Sequence, residues 1–446
     1  MILTPFKISS PTAVSQKAVF MDQPAPPSAA RTTSWLAKLG PGLITGAADD
    51  DPSGIATYSQ AGAQFGFGLL WTLLFTYPLM VGIQVVSARI GIVTGHGLAT
   101  NVRRHYPKTL LYFIVGLLLI ANIVNIAADI AAMGEAMRLV TGLGSAHLYS
   151  LGFGVLCLVL QVLMPYSLYV RYLKWLTMGL LAYVATVFAV HIPWVEVARR
   201  TAWPHFTFTK DSVALIVAIF GTTISPYLFF WQASQEVEEI RADGRTRALR
   251  SKPQDANAQL RRIKSDTLIG MGFSNLVAFF IILTTAVTLG AHGVTDIQTS
   301  AQAAEALRPV AGEFAFILFA LGIIGTGMLA VPVLAGSGAY AVTESFRWRN
   351  GLDLKVVQAR EFYGTIALAT LGGMALNFAP IDPIKALVLS AQINGVIAVP
   401  IMTVMMMLAH NRRIMGKYTL STRHTVIGWM GVAVMLVAVV AMFVTM

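Results

Sequence analysis

A series of uncharged runs, each long enough to cross a bilayer, constrains this chain more than any other feature. A spanning helix needs roughly 20 apolar residues. Such runs occupy 109–128, 144–170, 175–195, 212–235, 267–295, 314–343, 362–381, 386–411 and 424–446. The run from Pro52 to Ala88 is too long for one helix and is divided by GAQFGFG (62–68), so it holds the second half of a first span and all of a second. Eleven transmembrane helices are therefore expected, making an all-α integral membrane protein. Only 12% of the 446 residues are charged and 56% are hydrophobic, against about a quarter charged in soluble domains, which excludes a soluble globular chain.

Loop charges orient the spans, because cytoplasmic loops carry the Lys and Arg. With a cytoplasmic N-terminus, the inside loops hold Arg103, Arg104 and Lys108; Arg171 and Lys174; the run from Arg241 to Lys264; Arg347, Arg349, Lys355 and Arg360; and Arg412, Arg413, Lys417 and Arg423. Outside loops are nearly bare (141–147) or mixed (Asp296, Glu305, Arg308, Glu313), with 196–211 the exception. The N-terminus is expected inside and the C-terminus outside, in a plasma (inner) membrane. The net charge of +11 follows from this asymmetry and calls for no nucleic acid, although RADGRTRALRSKPQDANAQLRRIK (241–264) alone resembles a basic arm. Residues 1–34, rich in Pro among Ser, Thr and Ala, lack a signal-peptide core and are expected to form a flexible cytoplasmic tail. Cys157 is the only cysteine, so neither an intramolecular disulfide nor a thiolate metal site is available.

Within the first span, GAADDDPSGIATYSQAG (46–62) sets Asp49, Asp50 and Asp51 in apolar surroundings. A carboxylate inside a span costs about 2.5–3.5 kcal/mol on insertion scales and marks a functional site by default. Pro52 and Gly54 interrupt the helix here. Non-helical backbone at that depth survives where it lines a cavity, and broken helices commonly flank ion sites. A matching interruption, Ser225-Pro226 in FGTTISPYLFFWQASQ (220–235), stands in the sixth span. The two breaks head two sets of five helices, 35–195 and 212–411, of opposite orientation because five is odd. Residues 422–446 add an eleventh helix.

GPGLITGAADDDPSGIATYSQAGAQFG (40–66) resembles the first helix of the Nramp family of divalent-metal transporters, whose motif Asp-Pro-Gly-Asn-x-Ala-Thr reads here Asp51-Pro52-Ser53-Gly54-Ile55-Ala56-Thr57. GTTISPYLFF (221–230) stands where that family carries Met-Pro-His on its sixth helix; NIAADIAAMGEA (125–136) resembles its Asp-bearing third helix, and VLSAQINGVIAVP (388–400) its tenth, with a metal-facing Gln. The resemblance implies a leucine-transporter-type inverted repeat with helices 1 and 6 broken, working by alternating access. It also implies a secondary transporter, not an enzyme, with divalent metal ions and the lipid bilayer as partners and no cofactor.

The departures from the family pattern concern selectivity. Gly54 replaces the motif Asn, Ser225 the Met and Tyr227 the His, while Asp129 on the third helix lacks the acid three positions later, where Ala132 stands. The ligands implied are oxygens: the Asp51 carboxylate, freed carbonyls near Ala48 and Thr222, the Ser225 hydroxyl and the Gln392 amide. Carboxylate, carbonyl and water suit Mg²⁺, Ca²⁺ and Mn²⁺, whereas thioether suits later transition metals. Losing Asn at Gly54 is expected to leave a roomier site for a hydrated ion, as in the Nramp-related magnesium transporters. Successive helical positions turn about 100°, so the three acids cannot share one ion on a helix; Asp50 is expected to reach it through water and Asp49 to face away. Asp129 reads either as an ion or proton path or as the partner of a base such as Arg89. Glu236, Glu238 and Glu239 read as a solvated helix end, with an exit vestibule as the rival. Without the His and the second acid, transport is expected to proceed uncoupled from protons; a proton-coupled Mn²⁺/Fe²⁺ transporter is the alternative. An amino-acid transporter of the same fold is disfavoured because Asp51 would repel the substrate carboxylate, and a prenyltransferase because no second acidic cluster or intramembrane base is present.

Overall fold

A computed structural model of the protein describes residues 46, 49–164, 179–204, 207–243, 248–249, 256–378 and 382–446. The expected tail (1–34), the half-helix before the acidic triplet, Ala48, the 165–178 junction and most of the loop after 243 lie outside the described residues.

Every described element is helical. The first interrupted helix resumes as α1 (Pro52–Phe65), and the chain turns at Gly66, whose φ of 57° is a left-handed value that glycine adopts without a Cβ penalty. A single 3₁₀ turn leads into α2 (Leu70–Thr94), so α1 and α2 separate within GAQFGFG. There follow α3 (Leu98–His105), α4 (Lys108–Thr141), α5 (Ala146–Leu163), α6 (Leu181–Ala189), α7 (Trp194–Ala202), α8 (Lys210–Thr223) and α9 (Pro226–Asp243). The chain ends with α10 (Ala256–Thr288), α11 (Ala315–Phe346), α12 (Arg360–Leu376), α13 (Pro383–His410) and α14 (Thr422–Thr445), with short helical turns between some of them.

Eight segments among the described residues are long and apolar enough to cross a membrane: Pro52–Thr94, Lys108–Thr141, Ala146–Leu163, Lys210–Ala242, Ala256–His292, Arg308–Phe346, Pro383–His410 and Thr422–Thr445. Two expected spans fall outside this set. In the ninth, α12 has 17 residues; in the fifth, α6 ends at Ala189 and the chain bends before α7, an amphipathic helix with an Arg200–Glu196 pair where a loop was expected.

Burial orders these helices from centre to rim. Across Lys210–Ala242, which holds α8 and α9, 94% of the apolar stretch is buried; within α5 it is 17%. Rim helices turn large apolar groups outward, such as Val437, Val440 and Phe443 on α14, which suits lipid. Because lipid removes the hydrophobic drive between helices, close approach relies on small residues. A Cβ on Gly221 of α8 would fall inside the Ala391 carbonyl of α13, and one on Gly62 of α1 inside the Ile282 carbonyl of α10. The two interruptions themselves meet where Gly54 of α1 faces Thr222 Oγ1 of α8.

Candidate functional site

Asp51 lies where the first interruption ends. It is the N-cap of α1, with extended backbone (φ −73°, ψ 169°), and Pro52 at N1 needs no N–H there. Its Oδ1 accepts from the Gly54 N–H at 2.8 Å and the Ser53 hydroxyl at 2.6 Å; its Oδ2 accepts from Asn125 Nδ2 of α4 at 2.9 Å. This helix cap is buried inside the bundle, 2% exposed, where the positive end of α1 favours a carboxylate.

Asp49 and Asp50, also buried, both turn to α10: Ser274 Oγ lies 2.7 Å from Asp49 Oδ2 and 2.9 Å from Asp50 Oδ1. The expectation that Asp49 faces away from its neighbour is corrected, because one hydroxyl joins both, though it has a single proton to give. Asp129 is sealed (0% exposed), and neither of its carboxylate oxygens has a hydrogen-bond partner. Arg89 is not its counter-ion: that guanidinium donates to the Tyr418 and Thr419 carbonyls, each at 3.0 Å.

The second interruption separates α8 from α9 at Ile224 and Ser225. Pro226 has no N–H to offer the Thr222 carbonyl four residues back. The Ser225 hydroxyl substitutes for it, donating to Thr222 O at 2.8 Å and Gly221 O at 3.0 Å. The single Ser225 proton is shared between those carbonyls, while Ser225 Oγ keeps its lone pairs. Tyr227 is fully buried and shares the electrostatic neighbourhood of Asp51, Asp49, Asp129 and Asp50.

Two further placements differ from expectation. Beside Gly54 the space is filled: a Cβ there would stand 3.0 Å from Thr222 Oγ1 and 3.2 Å from the Tyr58 ring, because the interruptions pack directly on each other. Gln392 is half-buried and lines an open cavity of about 460 Å³ with Gln60, Asp211, Asp296 and Lys385. On the same helix, Asn394 instead reaches the site, its Nδ2 3.4 Å from Asn125 Oδ1. Sequence reasoning missed Asn125, Asn394 and Ser274. A signal for the first existed: Asn122, Asn125 and Asp129 recur at helical spacing within one span, and polar groups there face the bundle interior. A sulfur was also overlooked, since Met133 packs on Gly327, which adjoins the Pro52 ring.

At the far end of α9 the three glutamates do not form a solvated end. Glu236 is buried, paired with Arg262 of α10 at 2.7 Å and accepting from Gln232; Glu238 accepts from the Tyr340 hydroxyl and the Leu352 N–H; only Glu239 is exposed. Among the described residues the buried charged side chains are Asp49, Asp50, Asp51, Asp129, Glu236, Glu238, Asp266 and Glu344, with no buried Lys or Arg.

The Nramp model, described as natural resistance-associated macrophage protein-like, matches residues 42–445. The divalent metal cation transporter MntH of Mycobacterium leprae is 27% identical over 426 residues, covering 93% of each chain; that of Pectobacterium carotovorum is 27% identical over 394 residues, covering 85% of this chain and 87% of its own. Among solved structures, the Eremococcus coleocola manganese transporter is similar in fold with a TM-score of 0.71 and 16% identity, covering 92% of this chain and 87% of its own. Mhp1, a nucleobase-cation-symport-1 family transporter, is similar with a TM-score of 0.54 and 14% identity, covering 92% of each chain. Interrupted helices meeting at buried carboxylates, and a family match over nearly the whole length, lead to one assignment: the chain belongs to the Nramp family.

Proposed function

We propose that the protein is a secondary transporter that carries hydrated divalent metal cations across the plasma membrane by alternating access, with Mg²⁺ the main cargo and Mn²⁺ also carried. The observation that carries this reading is the unbalanced acid: four buried carboxylates gather at two helix interruptions, and no buried Lys or Arg among the described residues offsets them. Burying uncompensated charge is costly, and a cation supplies the compensation. The names of the MntH relatives and of the manganese transporter support divalent cargo.

Preference for Mg²⁺ rests on donor chemistry. Asp51, Asp50, Ser225, Thr222 and Tyr227 offer oxygen, and Mg²⁺ is commonly held by one or two carboxylates with several waters retained. Gln392 serves as an approach residue in this scheme, and Gly54 lets the two interruptions touch. Eleven spans in a five-plus-five inverted repeat, with the N-terminus inside and the C-terminus outside, complete it. The packing of α1 on α10, echoed by α9 on α2, supports that repeat.

Without a His at 227 or an acid at 132, the cation moves down its own gradient and the membrane potential, worth about 2.3 kcal/mol per charge per 100 mV. One observation favours the alternative, a proton-coupled Mn²⁺/Fe²⁺ carrier: both Asp129 oxygens lack partners, as a proton-accepting group in a pathway would. Uptake of Mg²⁺, Mn²⁺, Ca²⁺ and Cd²⁺ into sealed proteoliposomes containing a pH-sensitive dye separates the readings. Mg²⁺ entry, competition by Mn²⁺, weak Cd²⁺ entry and a silent dye are expected. Tight Cd²⁺ transport would defeat the oxygen-site argument and bring in the Met133 thioether; acidification that vanishes in Asp129→Asn would establish the proton-coupled alternative.

A further inference from the structure

Asn125 stands one helical turn before Asp129 on α4 and is completely sealed from solvent. Its Nδ2 donates to Asp51 Oδ2 at 2.9 Å, and its Oδ1 faces Asn394 Nδ2 at 3.4 Å. An ionised carboxylate only accepts, so the Asn125 amide has one usable orientation, nitrogen toward Asp51 and oxygen toward α13. That orientation fixes the next amide as well, because Asn394 must turn its nitrogen to Asn125. Its own oxygen then points elsewhere: Asn394 Oδ1 is buried and has no hydrogen-bond partner.

Buried amide oxygens are ordinarily satisfied; Asn122 Oδ1, one turn earlier on α4, is open as well, but the Asn394 oxygen is the one oriented by a chain of hydrogen bonds that starts at Asp51. An amide oxygen is a hard ligand of the kind that suits Mg²⁺ and Mn²⁺. At Asp51 itself, Oδ1 already serves Ser53 and Gly54, so an approaching cation is met by the remaining lone pair of Oδ2, the oxygen that Asn125 holds.

We propose that Asn125 and Asn394 form a polarised amide relay, in which Asn125 is a positioning residue for the Asp51 carboxylate and Asn394 Oδ1 is an additional oxygen ligand for the transported cation or for a water in its shell. The inference rests on the transport reading above and adds two residues to its site.

The test uses the full-length protein in proteoliposomes, measuring KM and Vmax for Mn²⁺ and Mg²⁺ alongside the thermal transition in detergent. Asn125→Leu and Asn394→Leu are each expected to raise KM about tenfold, the scale of one hydrogen bond to a charged group, with Vmax and the transition retained. The double variant should be no worse than either single one, because breaking one link already disables the other. Asn394→Asp, which keeps an oxygen at the ligand position, should bind better than Asn394→Leu. Should a Leu variant not fold, Asn125→Ser and Asn394→Ser give the same readings. Unchanged KM, an effect confined to Vmax, Asn394→Asp no better than Asn394→Leu, or a roughly hundredfold additive loss in the double variant would overturn the relay while leaving wild-type transport intact. Absence of any divalent uptake by the wild type would instead sink the transport reading, and the relay with it.

Discussion

In the proposed site Asp51 combines two duties that usually compete, capping a helix and carrying the charge. A cap spends the lone pairs of the carboxylate on nearby donors, and Asp51 Oδ1 is committed in this way to the Gly54 N–H and the Ser53 hydroxyl, leaving Oδ2 with a lone pair for a cation. Removing the side chain would therefore lose a cap worth about 1 kcal/mol and leave Asn125 without its acceptor. Asp51→Asn is the cleaner substitution, since Asn caps as well as Asp. It is expected to abolish metal uptake while moving the unfolding free energy by no more than about 1 kcal/mol, and near-normal uptake by that variant would end the assignment. Gly54 shows the limit of reading selectivity from replaced letters. An Asn missing from a motif suggested spare volume, yet Thr222 and Tyr58 occupy it. Gly54→Asn should consequently destabilise by about 1–3 kcal/mol, the usual cost of overpacking, read as a lower melting transition in detergent. An unchanged transition would mean that the space is open after all.

At the scale of elements, the two ends of Lys210–Ala242 are held differently. Around α8, helices meet through backbone contact at glycine, as Gly221 does against Ala391 and Gly395. Around α9, where Gly91 of α2 makes a similar contact with Ala233, polar side chains are added: Glu236 and Glu239 share Arg262, Glu238 takes Tyr340 and Leu352, Ser234 meets Glu344, and Gln84 and Ser87 of α2 donate to the Leu228 and Phe229 carbonyls. Sliding steric contacts and separable polar contacts suit different roles, and a helix end that must come free during transport is better held by the second kind. Arg262→Met removes the partner of buried Glu236, a change that costs up to about 3–5 kcal/mol for a fully enclosed pair and less here because Arg262 is 27% exposed. It is expected to increase maleimide labelling of a cysteine introduced at Gln235. Labelling equal to that of the parent would show that the Arg262 pairing does not keep this end closed.

For the whole molecule, the proposed orientation in the membrane rests on the basic loops of the sequence. Cys157 is buried, so single cysteines can be introduced over a quiet background. In intact cells an impermeant maleimide should label a cysteine at Met446 and spare one at Arg261; the opposite result would invert the topology. The central position of Lys210–Ala242 and the outward apolar surface of α14 show how the chain divides its polar groups, with carboxylates and amides inside and hydrocarbon outside.

Composition and span length by themselves determined that this chain is a helical membrane protein, and the Pro52 and Pro226 segments marked where two helices break, although a missing N–H alone does not decide this, since Pro78, Pro332 and Pro400 stand inside continuous helices. The family pattern around Asp51 was legible because it is local and contiguous. The partners of the site were not. Asn125, Ser274 and Asn394 come from three other helices, 74 to 269 positions away from their partners, and no spacing rule joins positions that far apart. Nor could the sequence place Gln392 in an open cavity and Asn394 against Asn125, since the two residues stand on one helix and their facing depends on which neighbours enclose it. The glutamates of α9 failed as a solvated end for the same reason: their burial is set by Arg262, Tyr340 and Leu352, which only packing brings together.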